Sequence, residues 1–216
     1  MAKNSIPLSV DIDRFARKKR ELINRLSHKN PQQLADNTSS VFEPDHSGEG
    51  RFILKLWETD ISLTYPDFLA SQVHTGHKLS DMDRVLLLYY FDTADGVPKA
   101  GKWISFSELP DGKFYNQAFQ GYTGRHLSLI YQNEQDSFNQ SAKELNGHRF
   151  SLANSSFKFE ALPRVPLLVV FWLGDEDFPS SFQILFDASA SHYLPTDAYA
   201  ILGSTLTGKL IKAKKT

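Results

Sequence analysis

The run Pro166-Leu167-Leu168-Val169-Val170-Phe171-Trp172-Leu173 constrains the fold more than any other part of this chain. It is far too short for a membrane-spanning helix, which needs roughly 20 apolar residues. Read as a strand over Leu167–Leu173, its side chains alternate between two faces and both faces are apolar. Such a strand sits at the centre of a sheet that is covered on each side. The spacing supplies partners for it: Arg149–Leu152 or Phe157–Ala161 before it and Phe182–Phe186 after it. If the strands from Leu167 and Phe182 pair as a hairpin, the acidic loop Asp175-Glu176-Asp177 falls at the end opposite Asp187.

Upstream, Arg51–Trp57 alternates, with Phe52, Leu54 and Leu56 on one face. Ile61, Leu63 and Tyr65 repeat the pattern after Glu58-Thr59-Asp60, which predicts a β-hairpin. Asp11–Leu26 reads as an amphipathic helix, with Phe15, Leu22, Ile23 and Leu26 on one stripe. Arg14, Arg17, Lys18, Lys19 and Arg20 load the other side. Asn30-Pro31 opens a second short helix through Leu34 and Ala35. The polar segment Asn37–Gly50 reads as a loop, so the expected division is a helical arm, 1–37, and a single α+β domain, 38–216. Ser80 and Asp83 resemble a capping box ahead of a helix through Val85, Leu86, Tyr89 and Tyr90, which ends before Asp95-Gly96-Val97-Pro98. Lys102–Phe106 is a short strand, Glu108–Gly112 a turn, and Gly121–Gly147 a broken helical stretch with Gly147 as its C-terminal cap. Thr196 caps a last helix with Ala198, Ile201, Leu202, Leu206 and Leu210 on one side. Strands joined mostly by turns, with helices before and after, predict an α+β fold: a mostly antiparallel sheet with flanking helices and the N-terminal arm.

Composition serves mainly to exclude. The chain has no cysteine, which removes disulfides, zinc–thiolate sites, cysteine-held iron–sulfur clusters and a cysteine nucleophile. A net charge of -1 gives no strong nucleic-acid signal. The N-terminus lacks the apolar run of a secretory signal, and the expected compartment is the cytoplasm. His74 and His77 stand three apart without an obvious third metal ligand, and a solvated loop is the expected reading. Lys209, Lys212, Lys214 and Lys215 read as a solvated end.

The segment with most chemistry is Phe186-Asp187-Ala188-Ser189-Ala190-Ser191-His192-Tyr193-Leu194-Pro195-Thr196. It joins a buried strand to a helix and carries an acid, two serines, an imidazole and a phenol. One reading is a pocket for a small molecule or cofactor built from Asp187, Ser189, Ser191, His192, Tyr193 and Thr196, with Trp103 and Trp172 as walls. The competing reading is that Asp187 and the serines hydrogen-bond the turn, and His192 and Tyr193 are satisfied, half-buried residues. An enzyme reading uses His192 as general acid/base with Asp187 orienting it. A third reading makes the chain an interaction module that docks a protein partner through the basic first helix. No G-x-S-x-G, Walker or dinucleotide-binding motif is present.

Several of these strings occur together in an order that resembles one family. Asp95-Gly96-Val97-Pro98, the run from Lys102-Trp103-Ile104-Ser105-Phe106 to Glu108-Leu109-Pro110-Asp111-Gly112, and Ala161-Leu162-Pro163-Arg164-Val165-Pro166 come first. Trp172-Leu173-Gly174-Asp175-Glu176-Asp177-Phe178-Pro179 and the string from Phe186 to Thr196 follow. This pattern, over roughly Asn30–Leu210, is similar to the bacterial and archaeal family called domain of unknown function 3786. The resemblance implies occurrence largely in anaerobes, an iron–sulfur domain beside this one in some relatives, and an association with corrinoid and one-carbon proteins. It therefore suggests a tetrapyrrole or corrinoid ligand for which His192 is the axial group. Lacking cysteine, this chain would need a partner or ligand to bring any redox centre.

Overall fold

A computed structural model describes residues 12–46 and 48–214, with side chains from residue 16 onward. The architecture is α+β, with two antiparallel sheets and helices packed on them.

The first sheet has the order β1-β2-β3-β4: β1 (Val41–Pro44), β2 (Gly50–Leu56), β3 (Thr59–Tyr65) and β4 (Ala70–Gln72). The expected hairpin is β2–β3, and its register places Phe52 opposite Leu63 and Leu54 opposite Ile61 on the buried face. Its turn is Trp57-Glu58, and Trp57 takes a positive φ of 51°. The expected loop Asn37–Gly50 contains β1, because Val41–Pro44 pairs with Gly50–Ile53. Pro44, Gly48 and Gly50 hide the strand from a pattern reading, although an edge strand tolerates proline.

The second sheet has the order β5-β9-β8-β7-β6: β5 (Trp103–Ser105), β9 (Ser181–Asp187), β8 (Val165–Trp172), β7 (Ser155–Leu162) and β6 (His148–Arg149). The doubly apolar run is β8, the middle strand, paired on both sides and buried from Val165 to Phe171. Helices α4 (Gly112–Tyr122), α5 (Gly124–Tyr131), α6 (Gln135–Glu144) and α7 (Thr196–Ala213) lie against this sheet. Phe138 reaches Phe157, Phe171 and Phe182, and Phe119 stacks on Phe106 at 4.1 Å beside Phe186. Leu168 and Val170 point to the opposite face and are equally buried. The expected turn Glu108–Gly112 is a 3-10 turn (Phe106–Glu108) that runs into α4. Gly112 is the pivot, since a Cβ there would lie 1.9 Å from the Phe106 carbonyl oxygen. At the end of α6, Asn146 takes the left-handed conformation, and the Gly147 N–H donates to Ala142 O at 2.8 Å.

Helix α1 (Ile12–Leu26) follows the expected amphipathic pattern with Leu22 and Leu26 buried. The expected positions Asp11, Arg14 and Phe15 lie outside the described side chains. Helix α2 (Pro31–Thr38) starts as expected, the Asn30 side chain accepting from Gln33 N at 3.0 Å. Helix α3 (Asp81–Thr93) has Ser80 at its N-cap, accepting from Asp83 N at 3.1 Å. Lys19 of the cationic side of α1 pairs with Asp81 of α3 at 2.7 Å, Arg25 and the following Lys29 both pair with Asp92, and Arg17 and Arg20 are exposed. Tyr65 donates to the carbonyls of Ser27 and Lys29, tying the α1–α2 turn to β3. Leu22, Leu26 and the α2 residues Leu34 and Ala35 belong to the same continuous core as β8 and α7. The two sheets are joined where the Trp57 N–H donates to Ala161 O at 2.8 Å.

Candidate functional site

Asp187 ends β9 with its carboxylate buried and hydrogen-bonded through both oxygens. Oδ1 accepts from Ala100 N, Ser189 N and the Ser189 hydroxyl, and Oδ2 accepts from Gly101 N, at 2.6–2.9 Å. Burial pushes its pKa up, but the Ser189 hydroxyl and the three backbone donors outweigh this and hold the carboxyl below its usual range. These bonds fix the loop of residues 94–102 against the end of β9. The Ala188 N–H adds a bond to Lys102 O at 2.8 Å.

The same loop returns the contact from its other end. His192 closes a 3-10 turn (Ala190–His192), and its Nδ1 lies 2.6 Å from Asp95 Oδ2. Because an ionised carboxylate only accepts, Nδ1 carries the proton and donates. The His192 side chain is 43 % exposed and Asp95 48 %. The hydrogen bond from His192 is the main reason that the Asp95 carboxyl is held below its usual range. His192 Nε2 has no hydrogen-bond partner among the described residues. Tyr193 is buried, its hydroxyl donating to Val97 O and its ring 6.0 Å from that of Tyr90. Burial raises the Tyr193 phenol above its usual value.

The remaining expected site residues fall in three places. Ser189 is buried on Asp187, whereas Ser191 is exposed. Thr196 is not the cap of α7; Pro195 holds that position, and the Thr196 hydroxyl donates to Pro110 O at 2.6 Å. The chain enters the helix one residue earlier than the Thr signal suggests, freeing that hydroxyl to tie α7 to the turn before α4. Trp103 pairs with Asp187 across β5 and β9 and meets Phe150 edge to face at 5.8 Å. Trp172 pairs with Ser181 at the far end of β9. At 3.4 Å per residue the two tryptophans are at least about 20 Å apart, so they do not wall one pocket. The β8–β9 hairpin also sets the acidic loop Asp175–Asp177 away from His192, as the pairing argument requires.

Thus the strings at 95–98, 102–112 and 186–196 interlock in space. Residues 30–209 match the family described as Domain of unknown function (DUF3786). The chain belongs to this family. Neither the curated proteins nor the solved structures compared with it give a match. Helix α1 precedes the DUF3786 match, although it packs on α3 within it. Asp95 is the DUF3786 residue that a reading of single segments misses. It lies 97 positions from His192, and its turn-forming company conceals any role beyond the turn. Its place in the first of the resembling strings was the available signal.

A tetrapyrrole or corrinoid at His192 would be met by Nε2, since a carboxylate on Nδ1 is the ordinary arrangement of a ligating imidazole. A flat macrocycle needs an apolar slot against the imidazole. Tyr193 is buried on Val97 and Trp172 lies at the other end of the sheet, so neither supplies a wall beside His192. The clefts beside Trp57 and between α5 and the start of β9 are lined by other residues. No group of three or more His, Cys, Asp or Glu among the described residues is placed to hold a metal ion. His74 instead lies 3.3 Å from Asp60 on the surface. No helix among the described residues is long and apolar enough to cross a membrane.

Proposed function

We propose that this DUF3786 chain is a binding or accessory protein whose working group is His192, oriented by Asp95. One observation carries the reading: an exposed imidazole has one nitrogen fixed by a carboxylate at 2.6 Å and the other uncommitted among the described residues. With Nδ1–H held by Asp95, the neutral ring presents Nε2 as an acceptor. The adjacent Asp95 charge disfavours an anion, so the ligand that fits is a small molecule offering a hydroxyl or amine hydrogen. The buried network of Asp187, Ser189 and Tyr193 is the scaffold that holds the pair in place.

A second reading has specific support from the same geometry. A base needs a defined tautomer and an open nitrogen within reach of a substrate proton. Asp95, and not Asp187, is the carboxylate hydrogen-bonded to His192; Asp187 is engaged with Ala100, Gly101 and Ser189. Docking of a partner through the basic first helix loses Lys19, which pairs with Asp81 of α3, while Arg17 and Arg20 stay exposed, and no further observation favours that reading.

The test is a screen of small alcohols, amines and amides by imidazole nitrogen and amide NMR on the wild type, His192→Gln and Asp95→Asn. A hit perturbs His192 Nε2 in the wild type, disappears in His192→Gln and weakens in Asp95→Asn. Identical screens for wild type and His192→Gln would sink the proposal. Added haemin or hydroxocobalamin tests the tetrapyrrole reading separately: an absorption spectrum unchanged by the protein removes it, and a shift lost in His192→Gln supports it.

A further inference from the structure

At the opposite end of β9 an open surface cleft of about 710 Å³ lies between α5 and the start of the strand. Arg125, Leu129, Gln132, Pro179 and Ser181 are exposed to solvent, and Gly124 and Phe182 are buried at its base. Its volume lies within the range of small-molecule sites. The wall from α4 and α5 supplies Gln120, Gly124, Arg125, Leu129 and Gln132, and the facing wall supplies Pro179, Ser181 and Phe182. Gly124 sets the separation of the walls, since a Cβ there would lie 2.3 Å from the Phe182 carbonyl oxygen. Asn133 is positioned at one end by accepting from Gly174 N at 2.9 Å, which leaves its amide hydrogens available.

Arg125 is the single charged residue of the lining. Among the described residues it has no ion pair or hydrogen bond, and neither do the side chains of Gln120, Gln132 and Ser181. The acids nearest in sequence are outside the lining: Glu134 pairs with Lys214 at 3.0 Å, and Asp175 accepts from the N–H groups of Asp177 and Phe178. Gln132 also has φ 48° and ψ -128°, a backbone conformation unfavourable for a residue with a side chain. It places a strained residue in the cleft wall, where such residues concentrate at ligand sites.

We infer that this cleft binds a small organic acid, with its carboxylate on the Arg125 guanidinium and its body against Leu129, Pro179 and Phe182. A guanidinium matches one carboxylate in charge and in its paired N–H geometry. A phosphate dianion would leave charge unmatched in a lining whose other polar groups are neutral. The amides and hydroxyls then read the polar substituents of the acid. This site stands apart from His192 and does not depend on the role proposed there.

The experiment is an amide NMR titration of the whole chain with succinate, glutamate or inorganic phosphate, at ionic strength matched by sodium chloride. Succinate or glutamate should give saturable shifts at residues 120–133 and 179–182. Arg125→Gln should weaken that binding about tenfold or more, as expected for loss of a charged hydrogen-bond partner, while Arg125→Lys retains part of it. His192→Gln should leave it unchanged, which separates this site from the function proposed above. Shifts no larger than those from sodium chloride, or binding undiminished in Arg125→Gln, would overturn the inference. Tighter binding of phosphate than of either acid would overturn the carboxylate assignment.

Discussion

Asp187 illustrates how a residue rich in chemistry becomes structural. Its carboxylate accepts four hydrogen bonds from two loop amides and from Ser189. Asp187→Asn keeps the size but turns an NH₂ group toward backbone donors, and should destabilise the fold by about 3 kcal/mol in urea titrations at pH 7. The pH dependence has a definite sign. The folded pKa lies below the unfolded value, so the stabilisation is complete above the unfolded carboxyl value of about 3.9 and drains as pH falls through the folded one. Asp95 contributes in the same direction. Wild-type stability should therefore fall between about pH 5 and pH 2, with a shallower fall in Asp187→Asn. An equal slope in the two proteins would remove this account of the carboxyl. The sequence showed that Asp187, Ser189 and His192 share one segment. It could not show which acid His192 would meet, because a contact across 97 positions depends on how the chain closes.

At the scale of elements, α1 was legible because its apolar spacing matches a helical period, and β2–β3 because alternation is a strong strand signal. Strand β1 and helix α4 were less legible for opposite reasons. One is a short edge strand containing Pro44, and the other starts directly after a 3-10 turn with Gly112 at its first position. Helix α7 shows the limit of periodicity, since Ile201 is exposed although its neighbour Leu202 is buried. The lysines near its end were expected to be solvated. Lys214 instead donates to Ile130 O at 2.6 Å and lies over Tyr131, and Lys209 lies over Trp57; Lys215 is outside the described residues. For α1 the burial of Leu26 dominates the surface charges. Leu26→Ala should cost about 3 kcal/mol, whereas Lys18→Ala, which removes an exposed pair with Glu21, should change stability by less than about 0.5 kcal/mol. Comparable losses from both would contradict the packing of α1 on the core. Gly112→Ala tests the pivot before α4: its Cβ meets backbone, which cannot rotate away, and a lowered urea midpoint is expected.

For the whole molecule, β8 organises the hierarchy. It is paired on both sides, buried on both faces and central to the sheet on which α4 to α7 pack. Amides of β7, β8 and β9 should exchange with solvent only through global unfolding, and those of β1 and the first turns of α1 through local opening. Hydrogen-exchange mass spectrometry checks this, and faster exchange in β8 than in β1 would invert the proposed order. The same strand has a kinetic side. Its partner β9 is also bonded to β5, whose residues precede it by most of the second sheet's length in sequence. Closing such distant pairings is slow; β8 meets its sequence neighbours β7 and β9 early, but until the helices pack on the sheet its uncharged, apolar faces stay open to other chains. Refolding yield should thus depend on protein concentration, with β8 as the segment through which partly folded molecules associate.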